Sequence, residues 1–341
     1  MNEYYCVMPF FGLELQPGVT TPCCLLPNDA NISQVQQTML DGKRPQECRK
    51  CWDLEDRGFE SDRMIKNKSF DYYTDKDIEF LEQECKDKKF SPQILKIYTS
   101  TLCNSTCVTC NPKFSTAWAS LKGIPIVNQT INNSRLDTIN WEEVKMLSLL
   151  GGEPLYEKKN LEILEKLYQV GNHDCFIDVT TNASVKLSDK HLSMLSKFKK
   201  VNFCLSIDGI GKEFEYIRYP LKWDAIESNI AEYRKAGISL SISFTISNLN
   251  ILSYDKITHW FKSNGLPYNY NLVTHPRLFS VNSLPEQVKQ GLPFVRSHQS
   301  EDSGYFDMFV NELESQDKLK GINVKDYLPE LSKVIDNFRK Y

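Results

Sequence analysis

From about residue 94 to 275 the chain repeats one pattern, a short strand-like run followed by a helical stretch, and that alternation limits the fold more than any other feature. The strand-like runs are 94–100, 145–151, 176–182, 201–208, 238–247 and 268–275. Helical periodicity falls between them at 160–170, 189–200, 223–237 and 254–264. Gly237 and Gly265 stand where helices should end, and Asp224 and Asp255 stand early in theirs, where a carboxylate meets free N–H groups. Strands joined through helices run parallel with right-handed crossovers, giving an α/β fold. Six such repeats suit a doubly wound sheet or an incomplete (β/α) barrel. In either, the functional site lies at the strand C-termini, where Glu153, Asn182, Asp208, Asn248 and His275 occur. Residues 122–140 read as an inserted loop, and 277–341 as loops and helices packing on the barrel.

Residues 1–90 have a different texture. Gly18, Pro22, Pro27, Gly42 and Pro45 interrupt short apolar pieces, and six of the eleven cysteines (Cys6, Cys23, Cys24, Cys48, Cys51 and Cys85) lie there. A segment with so little periodicity suits a small domain stapled by metal. The expected division is therefore 1–90, 91–276 and 277–341. The start of the chain has no basic leader with a long apolar core, and no apolar run is long enough to span a bilayer. The expectation is a cytoplasmic protein without a membrane partner, whose clustered cysteines serve metal or redox chemistry. A net charge of -3 argues against a nucleic-acid partner, and Arg49-Lys50 and the basic run 197–200 read as solvated charge.

Directly after the first of the six strands comes TLCNSTCVTCNP, in which Cys103, Cys107 and Cys110 form a C-x3-C-x2-C cluster. Three thiolates on one loop can hold three corners of a [4Fe–4S] cube and leave the fourth iron open to an external ligand. A zinc site would need a fourth His or Cys, and none lies nearby in sequence.

This motif resembles that of the radical SAM superfamily, and other segments agree in register. Gly151-Gly152-Glu153-Pro154 after the second strand looks like the family's GGE motif, with Glu153 accepting a hydrogen bond from the amino group of S-adenosylmethionine (SAM). Thr181-Asn182 resembles a family turn, although Ala183 stands where glycine is frequent. Ser206, Asp208 and Gly209 end the fourth strand as the family's segment does, and Ser206 or Asp208 would contact the methionine or ribose part of SAM. Arg218 is similar to an arginine that meets the SAM carboxylate; Asn248 would contact ribose or adenine, and Val273 would pack on adenine. The resemblance implies a partial (β/α)6 barrel of TIM type, a [4Fe–4S] cluster with SAM as cofactors, and a flavodoxin- or ferredoxin-type electron donor.

The N-terminal cysteines resemble the auxiliary-cluster domain of the twitch and SPASM groups, here placed before the barrel instead of after it. That resemblance implies a second [4Fe–4S] cluster on Cys6, Cys24, Cys48 and Cys51, with Cys23 as a neighbour, while zinc or a structural role is the competing reading. Strand alternation sets Cys204, Ser206 and Asp208 on one face, so Cys204 is a candidate hydrogen-atom donor, Asp208 a candidate catalytic group and His275 a candidate base at the rim. Cys85 and Cys175 read as ordinary core or surface cysteines. The function expected is radical modification of a peptide or protein side chain. Oxidation, epimerisation or rearrangement of a small molecule is the second reading, and a non-catalytic zinc or iron–sulfur binding protein the third.

Overall fold

A computed structural model describes residues 4–74, 91–127, 129–131, 133–294 and 303–339. The chain is a mixed α/β protein in which eight strands among the described residues pair mostly in parallel. It forms two compact units, one of residues 1–100, 129–179 and 189–201, the other of residues 101–128, 180–188 and 202–341.

The first unit is built on β1 (Gly12–Gln16), β2 (Val19–Thr21), β3 (Ile94–Tyr98), β4 (Met146–Leu150) and β5 (Phe176–Thr181), in the order β2-β1-β3-β4-β5. Period-2 alternation decides which side chains are covered. Leu95, Leu147 and Ile177 are register partners, as are Ile97, Leu149 and Val179, and all six are fully buried. Each such aliphatic contributes about 1.5–3 kcal/mol through removal from water. The expectation of an irregular N-terminal segment missed β1 and β2. Their turn, Pro17-Gly18, is visible in the sequence, and Gly18 takes the positive φ of 76° that glycine permits. Strands of five and three residues, however, show too little alternation to be read. β1 pairs in parallel with β3, Gly12 opposite Ile94 and Leu15 opposite Ile97. Around it Tyr5, Val7, Phe10, Phe11, Val35 and Met39 form a buried apolar cluster.

The second unit carries β6 (Lys200–Ser206), β7 (Ser239–Ile246) and β8 (Tyr268–Leu272), in the order β6-β7-β8. Phe203, Leu205, Ile242, Phe244 and Ile246 are fully buried on one face. The opposite face is polar: Cys204 pairs with Ser241 and Ser206 with Ser243. In each unit successive parallel strands are neighbours, the singly wound order of a (β/α) barrel and not the reversal of a doubly wound sheet. The helices Lys158–Gln169, Trp223–Lys235 and Tyr254–Ser263 fall where their periodicity placed them, and Gly237 and Gly265 follow their C-caps with φ of 80° and 62°. The loop expected at 122–140 contains a short helix, Asn133–Asp137. Among the described residues no helix is long and apolar enough to cross a membrane.

Candidate functional site

The cysteine loop is fixed before any metal is considered. Ser115 caps the helix Thr116–Leu121 by accepting from Trp118 N, and its hydroxyl donates to Ser105 O at 2.8 Å. Trp118 Nε1 donates to Cys107 O at 2.9 Å, and Cys103 N donates to Thr116 Oγ1 at 3.1 Å. On the other flank, Thr106 N donates to Tyr219 O and Val108 N to Ile217 O, so the loop lies against the 217–219 backbone. The thiols come together: Ser105 Oγ lies 3.4 Å from both Cys103 Sγ and Cys107 Sγ. Burial and the neighbouring Cys107 and Cys103 push the Cys110 thiol up to about 12. Three crowded thiols with a cation facing them suit an iron–sulfur cluster, whose positive irons remove the repulsion between thiolates.

That cation is Arg218. Its Nη1 is 3.9 Å from Cys107 Sγ, while Nε and Nη2 bind Asp208 Oδ2 at 3.0 and 2.7 Å. Burial opposes the guanidinium charge, but Asp208, Cys107 and Cys103 outweigh it and hold Arg218 above its ordinary range. Asp208 Oδ1 accepts from Thr245 N at 2.8 Å, so both carboxylate oxygens are engaged within the fold. Asp208, read from the sequence as a SAM contact or catalytic group, pairs with Arg218 in the fold. Asn250, which the sequence did not single out, donates to Asp208 O and Thr245 O at 2.8 Å and accepts from Ser247 N.

Asn182 also turns inward, donating to Asn104 Oδ1 at 3.0 Å and accepting from Ser184 N and Oγ. Ala183 takes φ 61°, the conformation for which glycine is the usual residue there. Thr181 Oγ1 accepts from Ala183 N and so belongs to the turn. Asn248 is fully buried; its Nδ2 donates to Leu278 O and Ser283 Oγ, and its Oδ1 is left as a buried acceptor without a partner. Such an orphan fits a ligand donor, as SAM would provide. Cys204 and Ser206 are half-buried on the polar face of β6, as alternation required. Val273 is half-buried, its N donating to Ile246 O; His275 is exposed, with Nδ1 3.4 Å from Thr274 Oγ1.

The GGE turn belongs to the first unit. A Cβ at Gly151 would meet Ser100 O at 2.7 Å, and its φ is 135°. The glycine is thus required by the approach of its own chain. Gly152 N donates to Ser100 O, Glu153 is buried, and Glu153 Oε1 accepts from Leu155 N at 3.1 Å.

The N-terminal cysteines gather as well. Cys6, Cys23, Cys48 and Cys51 line one small cavity with Met8 and Arg63. Arg63 ties its wall together, pairing with Glu55 at 2.7 Å, donating to Tyr5 O at 2.7 Å and stacking on Trp52 at 4.6 Å. Burial pushes Cys6 and Cys48 up to about 12. Cys23 lines the cavity, whereas Cys24 is exposed and outside its lining, the reverse of the order the adjacent pair suggested. Among the described residues no three His, Cys, Asp or Glu side chains gather as a single metal ion would require. Cys175 is buried, and Cys85 lies outside the described residues.

No family model and no curated protein matches the sequence. Solved structures are similar to parts of its fold. Native anSMEcpe with bound AdoMet is 16% identical with a TM-score of 0.42, over 66% of this chain and 60% of that one. Streptococcus suis SuiB bound to S-adenosylmethionine is 18% identical with a TM-score of 0.41, over 59% and 48%. Methylornithine synthase (PylB) is 14% identical with a TM-score of 0.37, over 64% and 60%. The three are radical SAM enzymes. The match spans between about half and three fifths of the length of each of these solved chains.

Proposed function

We propose that this chain is a radical SAM enzyme that holds a [4Fe–4S] cluster on Cys103, Cys107 and Cys110. The observation carrying the reading is the cysteine loop itself: three thiols converge on one short segment, Ser105 sits between two of the sulfurs, and Arg218 faces them. Such a cluster with SAM supplies one-electron cleavage of the sulfonium bond to methionine and a 5'-deoxyadenosyl radical that takes hydrogen from substrate. The chain's own contribution is to fix the loop through Trp118, Tyr219 and Ser115, to oppose the thiolate charge with Arg218, and to offer Asn248 Oδ1 as a buried acceptor. Glu153 is assigned to the SAM amino group, and Thr181, Asn182 and Ser206 to SAM, on their motifs.

A second [4Fe–4S] cluster is assigned to the cavity of Cys6, Cys23, Cys48 and Cys51. A cube spreads its thiolates over four corners, whereas zinc draws them to about 2.3 Å of one point. Four thiols line that one cavity. Four protein thiolates saturate this cluster, which suits electron transfer from a flavodoxin- or ferredoxin-type donor. The substrate assigned is a peptide or protein side chain, on the resemblance of the N-terminal cysteines to auxiliary-cluster domains. Clustered cysteines used for metal or redox chemistry suit a reducing, cytoplasmic setting.

Anaerobic reconstitution tests the reading. About eight irons per chain are expected, with 5'-deoxyadenosine formed from SAM under dithionite. Replacing Cys103, Cys107 and Cys110 together by Ala abolishes that product and leaves about four irons. A protein that takes up only zinc and leaves SAM intact contradicts it.

A further inference from the structure

Lys320 closes the helix Ser303–Lys320 and is only 7% exposed. Its Nζ donates to Gln316 Oε1 at 3.0 Å and lies 4.8 Å from the Trp118 ring centroid and 5.9 Å from that of Tyr219. Among the described residues it makes no ion pair; its hydrogen-bond partner is a neutral amide. A buried ammonium with no carboxylate at ion-pair distance is costly, and burial lowers Lys320 to about 8 against the pull of Cys107, Asp317 and Glu312.

Each group that holds this ammonium also holds the cysteine loop. Gln316 Nε2 donates to Val108 O at 3.0 Å, and Trp118 Nε1 to Cys107 O at 2.9 Å. Tyr219 O accepts from Thr106 N and Oγ1, while Tyr219 OH donates to Lys320 O at 3.2 Å. Three neighbours of one lysine thus bond Thr106, Cys107 and Val108, placing the charge behind the middle cysteine. Negative charge at Cys107 is the first of the influences that favour the ammonium there. Arg218 approaches the same sulfur from its pairing with Asp208, so Lys320 adds a second positive charge there.

We infer that Lys320 is the counter-charge of the cluster on Cys103, Cys107 and Cys110, a positioning residue that raises the cluster's reduction potential. The inference rests on the cluster assignment made above. A tris-thiolate cluster gains a negative charge when it accepts one electron, and a fixed cation in a low-dielectric surround favours the reduced state. No bond forms or breaks at Lys320; the electron comes from a low-potential one-electron donor, dithionite in the test.

The test uses full-length reconstituted protein and follows, by EPR-monitored titration, the reduced-cluster signal that changes on adding SAM. Lys320→Met is expected to disfavour reduction at least tenfold, a shift of about 59 mV to lower potential for one electron. Lys320→Arg is expected to stay within about threefold of the parent protein, whose corresponding shift is under about 30 mV. Lys320→Gln serves as a second neutral variant. Unchanged potentials in both neutral variants overturn the inference, as does failure of all three variants to assemble the cluster, since packing and not charge would then be what matters. Loss of the cluster in the neutral variants alone, with Lys320→Arg intact, supports it. If the parent protein takes up no iron that depends on Cys103, Cys107 and Cys110, the cluster assignment itself fails.

Discussion

Asp208 and Arg218 show a partnership that residue types and spacing alone do not reveal. Both were singled out as SAM contacts, yet they are bound to each other at 2.7 Å with little exposure. Breaking a buried pair leaves one charge uncompensated, at a cost of about 3–5 kcal/mol. Arg218→Met should therefore lower stability by that order, and the double variant with Asp208→Asn should recover part of it in a urea-denaturation cycle. Glu213 carries a second prediction. Burial lifts its carboxyl from 4.5 to about 7. The unfolded chain releases that proton near 4.5 and the folded chain near 7, so its contribution to stability is full below 4.5 and is lost as pH rises to about 7. The loss is about 3 kcal/mol. Urea midpoints at pH 5.5 and 8 should show Glu213→Gln largely free of this decline and more stable than the parent at pH 8. Sequence reasoning found Cys103, Cys107 and Cys110 by their spacing; it did not find Asn250, Gln316 or Lys320, whose partners are brought near only by the fold.

At the level of elements, alternation and caps were legible because they are local. The β1–β2 hairpin was not, its five- and three-residue strands being shorter than the window in which a period can be recognised. The choice between Cys23 and Cys24 was equally closed to spacing, since adjacent residues differ only in which way the backbone turns them. Cys23→Ala should lower iron from about eight to about four per chain and Cys24→Ala should leave it unchanged. Iron and absorbance measurements on the reconstituted variants decide this. The turn at Gly151 carries another expectation. An alanine there meets Ser100 O at 2.7 Å with φ at 135°, so Gly151→Ala should cost about 1–3 kcal/mol by thermal denaturation before any ligand is considered.

Across the whole molecule, the singly wound strand order settled a choice that periodicity left open, because a helix-and-strand repeat is common to both α/β architectures. The long-range bonds around the cysteine loop were beyond sequence for a simpler reason: Val108 and Gln316 are 208 residues apart. That separation also sets a timetable. At synthesis rates of about 5–20 residues per second, the segment bearing Gln316 and Lys320 leaves the ribosome roughly 10–40 s after the cysteines it braces. The bonds from Trp118 and Tyr219 can therefore hold the loop before Gln316 and Lys320 exist, and the last brace arrives after the others.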